Sequence, residues 1–192
     1  MTSLKLSLIL LFLSISAYGQ QHLCFEGIPI DGSLAEFTNA MKEKGYKHEG
    51  IVWGISLFTG DFADYKDCFI GVYTLKDHDV VNRVTVLLPE HTSLDTIIAD
   101  YQNIKNKLID QYGCPQETHE WFPNHFADSS TTAIFQAMKR EEISWCSSYS
   151  TPHGNIVILI SPGIIRNTGQ VDVQYHDSIN SDPKRKSAMD DL

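Results

Sequence analysis

The densest group of chemistry-bearing side chains in this sequence is His119, Glu120, His125 and Asp128. Imidazole and carboxylate groups bind Zn²⁺, but a zinc site needs three or four ligands that converge at fixed short distances. The segment Trp121-Phe122-Pro123 separates the two histidines, and its proline interrupts any regular element that could hold them together. We therefore expect surface histidines here, and we predict neither a metal site nor a cofactor.

Catalytic sequence patterns are absent from the chain. It contains no Gly-x-Ser-x-Gly nucleophile elbow, no glycine-rich phosphate loop and no His-Glu-x-x-His pair. The acidic stretch over residues 60–67 lacks the closing glutamate and the alternation of a calcium loop. We predict no enzyme activity and assign no catalytic residue. A hydrolase, whose nucleophile and base would have to converge from separate strands, is the least favoured class.

The aromatic residues around Pro123 are the strongest candidates for binding. Trp121, Phe122 and Phe126 bracket this proline in a predicted loop, with His125 beside them. Loops seldom hide large apolar side chains, and aromatic groups are enriched at recognition surfaces. The sequence therefore favours Trp121, Phe122, His125 and Phe126 as binding residues. The alternative is that this loop folds back over the core.

Four cysteines are candidates for disulfide bonds: Cys24, Cys68, Cys114 and Cys146. Their spacing matches neither a Cys-x-x-Cys redox pair nor a zinc knuckle. An even number in an oxidising compartment favours up to two disulfides, with the pairing left open. Buried free thiols are the alternative.

The oxidising compartment is itself a prediction, from residues 1–19. Lys5 precedes an apolar run over residues 6–15, and Ala17-Tyr18-Gly19 places small residues where a signal peptidase cleaves. The run is too short for a membrane anchor. We therefore expect a signal peptide over 1–19, a mature chain that begins at Gln20, and export to the periplasm or the extracellular space.

Composition predicts one folded, acidic domain. The chain has 192 residues, of which 42% are hydrophobic, and a formal net charge of −9. Such a length and apolar fraction suffice for a packed core, and the acidic charge argues against binding to nucleic acid. We expect a single domain over residues 20–176 and a polar C-terminal tail over residues 177–192.

A weak repeat with an offset of sixty residues organises this domain. Pro29, Ser33, Leu34 and Phe37 recur as Pro89, Ser93, Leu94 and Ile97. Each copy opens a predicted amphipathic helix, over about residues 34–44 and 94–112, because apolar residues recur there at helical spacing. Gly45 and Gly113 are predicted to end these helices. We therefore expect an internal duplication over about residues 24–88 and 89–176.

Strand patterns fill the rest of the domain. Alternating or continuous apolar residues predict strands over 51–58, 68–75, 81–88, 117–122, 134–138, 143–149, 155–161 and 171–176. Trp53 and Trp145 lie within these patterns and are expected in the core. The order is one helix, three strands, a second helix and four or five strands. It predicts an α+β protein with helices packed on one face of an antiparallel sheet.

Several short motifs carry a resemblance to known proteins. They are Gly27-Ile28-Pro29-Ile30-Asp31-Gly32-Ser33, Lys44-Gly45-Tyr46, Gly60-Asp61-Phe62-Ala63, Tyr112-Gly113-x-Pro115 and the terminal Asp190-Asp191-Leu192. In these motifs the chain resembles a group of small exported proteins of Bacteroides-type bacteria, which implies export and no assigned chemistry. The duplicated plan is also similar to β-lactamase-inhibitor-like and PepSY-like folds. That likeness concerns the fold and implies no function.

From these features we predict a non-enzymatic exported binding module. It would engage a protein or an envelope component through a sheet face or through the loop from Trp121 to Phe126. The alternative is a carrier that holds a small apolar ligand between helix and sheet. Such a carrier needs a closed pocket of roughly 300 Å³ or more lined by apolar groups.

Overall fold

The computed structural model describes residues 21–75, 78–122 and 129–181. This part of the chain forms an α+β fold with three helices, α1 (Leu34–Glu43), α2 (Leu94–Tyr112) and α3 (Thr131–Lys139). Its strands are β1 (Cys24–Phe25), β2 (Ile28–Pro29), β3 (Lys47–Val52), β4 (Ile55–Phe62), β5 (Tyr65–Thr74), β6 (Val81–Leu87), β7 (Glu117–Glu120), β8 (Trp145–Thr151), β9 (Gly154–Pro162) and β10 (Gly169–Asp177). The predicted α+β class is confirmed. None of the described helices is long and apolar enough to cross a membrane.

Eight strands form one antiparallel sheet in the order β3-β4-β5-β6-β10-β9-β8-β7, while β1 and β2 pair separately. This order is symmetric about the contact between β6 and β10, because each half is an up-and-down meander of four strands that follows a long helix. The two halves differ in that α3 lies between β7 and β8. Such an arrangement is compatible with the proposed duplication, which stays a prediction.

The first half contains four sheet strands where the sequence predicted three, because residues 51–58 are not one strand. Val52 pairs with Ile55, and the two residues between them have φ angles of 50° and 78°. Two successive positive φ angles are typical of a type I′ hairpin turn. Trp53, the first turn residue, is 95% exposed, so its predicted place in the core was wrong.

The segment predicted as a strand at 134–138 is helical. Helix α3 begins after Ser130, whose hydroxyl accepts a hydrogen bond from the backbone N–H of Ala133 at 3.3 Å. Its buried residues are Ile134, Phe135, Ala137 and Met138. A short apolar run is compatible with both a helix and a strand, and here the capping serine stabilises the helix.

The two long helices follow the sequence prediction. Ser33 and Glu36 form a capping box at the start of α1, in which the Glu36 carboxylate accepts from the Ser33 N–H at 2.9 Å. Ser93 caps α2, and Gly113, with a φ of 83°, follows its last residue. These signals are local in sequence, so they can be recognised without knowledge of the rest of the fold, although the Leu34 N–H at the start of α1 also donates to the Asp79 carboxylate at 2.9 Å.

The core lies between the helices and one face of the sheet. Helix α2 buries Ile97, Tyr101, Ile104 and Leu108. The sheet contributes the inward-facing residues of its strands, including Val84, Val86, Ile156, Ile158, Val171 and Val173. Phe25 of β1 stacks on Phe62 at a ring-centroid distance of 6.0 Å and closes one side of this core. The opposite face of the sheet, called here the helix-free face, carries the alternate residues of each strand.

Candidate functional site

The structure locates two of the four predicted binding residues. Trp121 directly follows β7 and is 62% exposed. Phe122 is half-buried, with its ring centroid 4.7 Å from that of Trp145. His125 and Phe126 lie outside the described residues. Trp121 is therefore available to a partner, whereas Phe122 fixes the segment to the body of the protein.

Trp145 anchors this segment to the core, as its strand pattern predicted. Its ring meets Tyr101 of α2 edge-on at a centroid distance of 6.4 Å. The contacts of Phe122 and Tyr101 place the indole between the exposed segment and the helix layer. Aromatic pairs of this kind add about 0.5–1.5 kcal/mol beyond their buried area. The backbone that presents Trp121 is thus held by a chain of packed rings.

Two open pockets lie between Trp121 and β9. One has a volume of about 360 Å³ and is lined by His119, Trp121 and residues 141–144. The other, of about 320 Å³, is lined by residues 141 and 143–146, by Met138 and by residues of β9 that include Leu159 and Pro162. The segment 141–144 contributes to both pockets. A partner that covers Trp121 would therefore find apolar depressions next to it.

The loop between β9 and β10 adds two exposed isoleucines at the same end of the sheet. Ile164 is 82% exposed and Ile165 is 65% exposed. The Glu90 carboxylate accepts hydrogen bonds from their backbone N–H groups, at 2.8 Å and 3.0 Å, and from the Thr168 hydroxyl. Burial alone would raise the pKa of Glu90, but these hydrogen bonds bring it below its ordinary value. The charged carboxylate thus fixes an apolar loop that faces solvent.

Gly163 explains why this loop can approach Glu90 so closely. A Cβ atom at this position would lie 2.2 Å from Thr168 Oγ1 and 2.5 Å from Glu90 Oε2. Any side chain would therefore displace the carboxylate from the loop. Trp121, Ile164, Ile165 and residues 141–144, which lie at the same end of the sheet, are called here the Trp121 surface. The sequence indicated Trp121, but not the isoleucines, because their exposure depends on a carboxylate 74 residues away.

The helix-free face of the sheet is the second candidate surface. The Arg83 guanidinium lies 3.9 Å from the centroid of the Tyr73 ring, and His176 pairs with Arg83 across β6 and β10. Burial and the nearby Arg83 charge lower the pKa of His176. Asp172 lies between Leu87 and Leu159 on the neighbouring strands, and burial raises its pKa to about 6. This face combines charged and aliphatic groups over several strands.

A serine–histidine pair lies beneath α1, where it could suggest a nucleophile and its base. Ser56 Oγ is 3.0 Å from His48 Nε2 and 2.9 Å from Thr38 Oγ1 of the helix. Ser56 is fully buried. A catalytic nucleophile must reach its substrate, so this pair joins α1 to the sheet and does not form an accessible active site.

The group weighed in the sequence as possible metal ligands, and interpreted there as surface histidines, lies only partly in the described residues. His119 is exposed on β7, Glu120 turns toward Lys105, and His125 and Asp128 lie outside the described part of the chain. Within that part, no group of three or more His, Cys, Asp or Glu side chains is arranged to hold a metal ion.

All four cysteines are free thiols, which corrects the expectation of disulfide bonds. Cys68 on β5 and Cys146 on β8 are four strand positions apart in the sheet, or roughly 19 Å at the usual strand spacing. A disulfide needs Cα atoms within about 7 Å. Cys68 is buried, and burial raises its pKa to about 11. Cys24 is exposed on β1, and Cys114 is exposed in the segment between α2 and β7.

The space expected for a carried ligand, between helix and sheet, is occupied by core side chains of α2 and the central strands. A groove of about 960 Å³ lies elsewhere, where the segment 21–29 meets the end of α2 and the turn before β9. It is open to solvent and lined by polar and apolar groups, among them His22, Cys24, Tyr112 and His153. It therefore differs from the closed apolar pocket that a carrier needs.

The described residues define the protein as an α+β chain with its helices on one face of a symmetric antiparallel sheet. Comparison of the chain with protein-family models, with curated proteins and with solved structures finds no significant match. Its exposed apolar surfaces are thus the features from which a function can be inferred.

Proposed function

We propose that this chain is an exported, non-enzymatic binding module that engages a protein or an envelope component through the Trp121 surface. The observation that carries the proposal is the fixed exposure of Ile164 and Ile165. Single exposed apolar residues are common on proteins and need no explanation. Here two adjacent isoleucines are held toward solvent by three hydrogen bonds to one carboxylate, at the end of the sheet where Trp121 is also exposed.

The chemistry of this surface suits recognition of another macromolecule. Tryptophan is among the residues that contribute most to binding energy at interfaces. A loop that is already ordered loses little conformational entropy on binding, so more of the contact energy appears as affinity. Burying an isoleucine side chain contributes about 1.5–3 kcal/mol. Three such anchors would contribute roughly 4.5–9 kcal/mol, which is comparable to the cost of association of about 4–15 kcal/mol, so contacts around them must add to the affinity.

The margin of the surface is polar, as at known interfaces. Glu141 and Arg166 are exposed beside the pockets and the loop, and His119 lines the first pocket. An apolar centre surrounded by charged groups is the usual anatomy of a reversible interface. This pattern supports a binding module that associates with its partner and also exists free in solution.

A capture experiment tests the proposal. The mature chain from Gln20 is immobilised and exposed to the envelope fraction, in parallel with Trp121→Ala and with Ile164→Ser/Ile165→Ser. Trp53→Ala serves as the matched control, since it removes an exposed tryptophan at the opposite end of the sheet. We expect one component that the wild type and the control retain and both surface variants lose.

The captured component is then purified and its affinity measured by calorimetry. Each surface variant should weaken binding at least about tenfold, the effect of losing one contact worth about 1.4 kcal/mol. Equal affinity for all variants would overturn the assignment of the site. If no component is captured and native mass spectrometry shows a co-purified apolar molecule, the protein is a small-ligand carrier instead.

A further inference from the structure

Trp53 combines two features that each reduce stability. Among the large hydrophobic side chains described, it has the highest exposed fraction, 95%. Its φ angle of 50° lies in the left-handed region, which bulky residues rarely adopt. The first position of a type I′ turn is usually Asn, Asp or Gly. Strained backbone of this kind clusters at functional positions, which makes the hairpin tip a candidate interaction site.

Trp53 directly follows β3, which is an edge strand of the sheet. Within the described residues, strand β3 is the last strand on its side and pairs with β4 alone. In a hairpin with a two-residue turn, the residues next to the turn, Val52 and Ile55, form a hydrogen-bonded pair. The N–H and C=O groups of Ile51 therefore point away from β4. Ile51 and Val52 are 58% and 45% exposed, so free backbone groups and apolar side chains occur together.

The opposite edge of the same sheet is protected against such pairing. Strand β7 has only four residues, and it begins with an exposed glutamate, Glu117. Short, charged edge strands are a common means of preventing association between sheets. Strand β3 has a register shift between His48 and Gly50. Its charged residues lie before that shift, at Lys47, or within it, at Glu49. Residues 50–53, beyond that shift, carry no charge.

We propose that two copies of this chain associate through their β3 edges, antiparallel and about a two-fold axis at Ile51. The occupant of the edge is a polypeptide strand, because another backbone supplies C=O and N–H groups at the spacing of the free edge groups. A second copy is complementary by symmetry, since Ile51 meets the same residue of its copy. No like charges are opposed over residues 50–53. Each Trp53 side chain would pack against the other copy and lose its exposure.

The expected dimer is weak and depends on salt. A tryptophan buries about 150–250 Å², so the two Trp53 side chains together bury roughly 300–500 Å². With Ile51 and Val52 added, the interface belongs to the weak class that buries less than about 1,200 Å² in total. We expect a dissociation constant on the order of micromolar. Each copy carries a formal charge of −9, and this repulsion is screened by salt. Association should therefore strengthen as the ionic strength rises.

Sedimentation velocity on the mature chain from Gln20 tests this inference, which does not depend on the Trp121 surface. Concentrations from about 1 to 500 µM cover the expected range, at roughly 0.05 M and 0.5 M salt. Ile51→Lys would place two positive charges opposite each other at the two-fold axis of the dimer. Trp53→Asn removes the apolar contact while supplying a residue that the turn favours, so this variant should unfold at a temperature no lower than the wild type.

The wild type should form more dimer with rising concentration and with salt. Both variants should weaken the dimer at least about tenfold, whereas Trp121→Ala, which removes another exposed tryptophan at the other end of the sheet, should dimerise like the wild type. A wild type that stays monomeric at the highest concentration and salt would overturn the inference. So would a dimer that both β3 variants leave unchanged, because it would use a different surface.

Discussion

The Tyr101 hydroxyl on α2 donates a hydrogen bond of 2.8 Å to the Ser147 hydroxyl on β8, and both residues are buried. Ser147 also lies 3.2 Å from Glu120 Oε1, at the end of β7. Glu120 in turn pairs with Lys105 of α2. Burial raises the pKa of Tyr101, so its hydroxyl keeps the proton that it donates. Ser147 therefore connects the helix layer to the strand that presents Trp121.

Removing either hydroxyl should reduce stability by different amounts. Ser147→Ala removes the hydroxyl that links Tyr101 to Glu120, which costs about 1–3 kcal/mol, whereas Tyr101→Phe removes only the donor and costs about 1 kcal/mol. The double variant should lose less than the sum of the two, because the residues share one hydrogen bond. Urea unfolding at equilibrium measures each value. A loss below about 0.5 kcal/mol in Ser147→Ala would contradict the expected penalty.

Asp177 joins the two ends of the described chain. Its buried carboxylate accepts hydrogen bonds from the backbone N–H groups of Leu23 and Asn180, both at 2.8 Å, and lies 3.1 Å from His22 Nδ1. This residue, expected to begin the polar tail, is the last residue of β10.

Asp177→Ala should destabilise the protein strongly, since it leaves two buried N–H groups without acceptors, at a cost of about 1–3 kcal/mol each. Asp177→Asn keeps one acceptor oxygen and should lose less. Thermal unfolding gives the stability order, and limited proteolysis followed by mass spectrometry shows whether the segment 21–29 becomes accessible first. If Asp177→Ala matches the wild type in both assays, Asp177 does not hold that segment.

Thiol reactivity should follow the environment of each cysteine. Cys24 and Cys114 are exposed, Cys146 is half-buried and Cys68 is buried with a raised pKa of about 11. Since the thiolate is the reactive form, a thiol-specific reagent should modify Cys24 and Cys114 first and Cys68 only on unfolding. Peptide mass spectrometry after timed labelling identifies the order. Cysteines that react only after a reductant is added would show disulfides in the isolated protein.

Sequence patterns predicted the fold where the signal is local and long. The apolar residues of α2 repeat over five turns between a capping serine and a glycine, so both helix ends were predicted correctly. The run 51–58 contains a hairpin turn made by Trp53 and Gly54, and an aromatic residue at a turn gives no turn signal. The contact between β6 and β10 joins residues far apart in the chain, which no local pattern encodes.

The candidate site was predictable only in part, for the same reason. Trp121 lies near the end of the segment predicted as a strand, 117–122, and two residues before a proline, and both features are visible in the sequence. The structure ends this strand at Glu120, so Trp121 follows it. The exposure of Ile164 and Ile165 depends on Glu90, which precedes α2 in the chain. An apolar pair after Pro162-Gly163 suggests either a strand or a buried turn, and only the carboxylate contact shows that it is a fixed, exposed loop.

Asp172 should make stability fall as the pH rises from about 4 to 6. Burial raises its folded-state pKa from 3.8 to about 6, so the folded protein binds more protons than the unfolded chain within that window. Asp172→Asn keeps an oxygen for the Ser161 hydroxyl, which donates at 2.8 Å, and removes the charge. We expect this variant to gain on the order of 2 kcal/mol at pH 7 and to match the wild type below pH 4.

Urea unfolding of wild type and Asp172→Asn across this pH range checks the prediction. Glu117→Gln is the matched control, because it makes the same chemical change at an exposed position on the sheet edge. Its stability should follow the wild type at every pH. A constant difference between Asp172→Asn and the wild type from pH 4 to 7 would mean that the Asp172 charge is not the cause.

The Glu90 carboxylate should control the order of the exposed loop after β9. Glu90→Ala removes the acceptor of the Ile164 and Ile165 N–H groups, and we expect their amide hydrogens to exchange at least about tenfold faster. Glu90→Gln retains one oxygen and should show a smaller increase. Gly163→Ala should resemble Glu90→Ala, because its Cβ would displace the carboxylate.

Hydrogen exchange measured by mass spectrometry on the peptide that contains residues 163–168 separates these cases. The central strand β10, which follows this loop, provides the internal control, since its exchange should not change in a variant that stays folded. If the proposed function is correct, the loosened loop of Glu90→Ala should also bind the captured partner more weakly, although Ile164 and Ile165 are still present, because ordering the loop now costs conformational entropy. Faster exchange with unchanged affinity would mean that the carboxylate orders the loop but that the partner binds elsewhere.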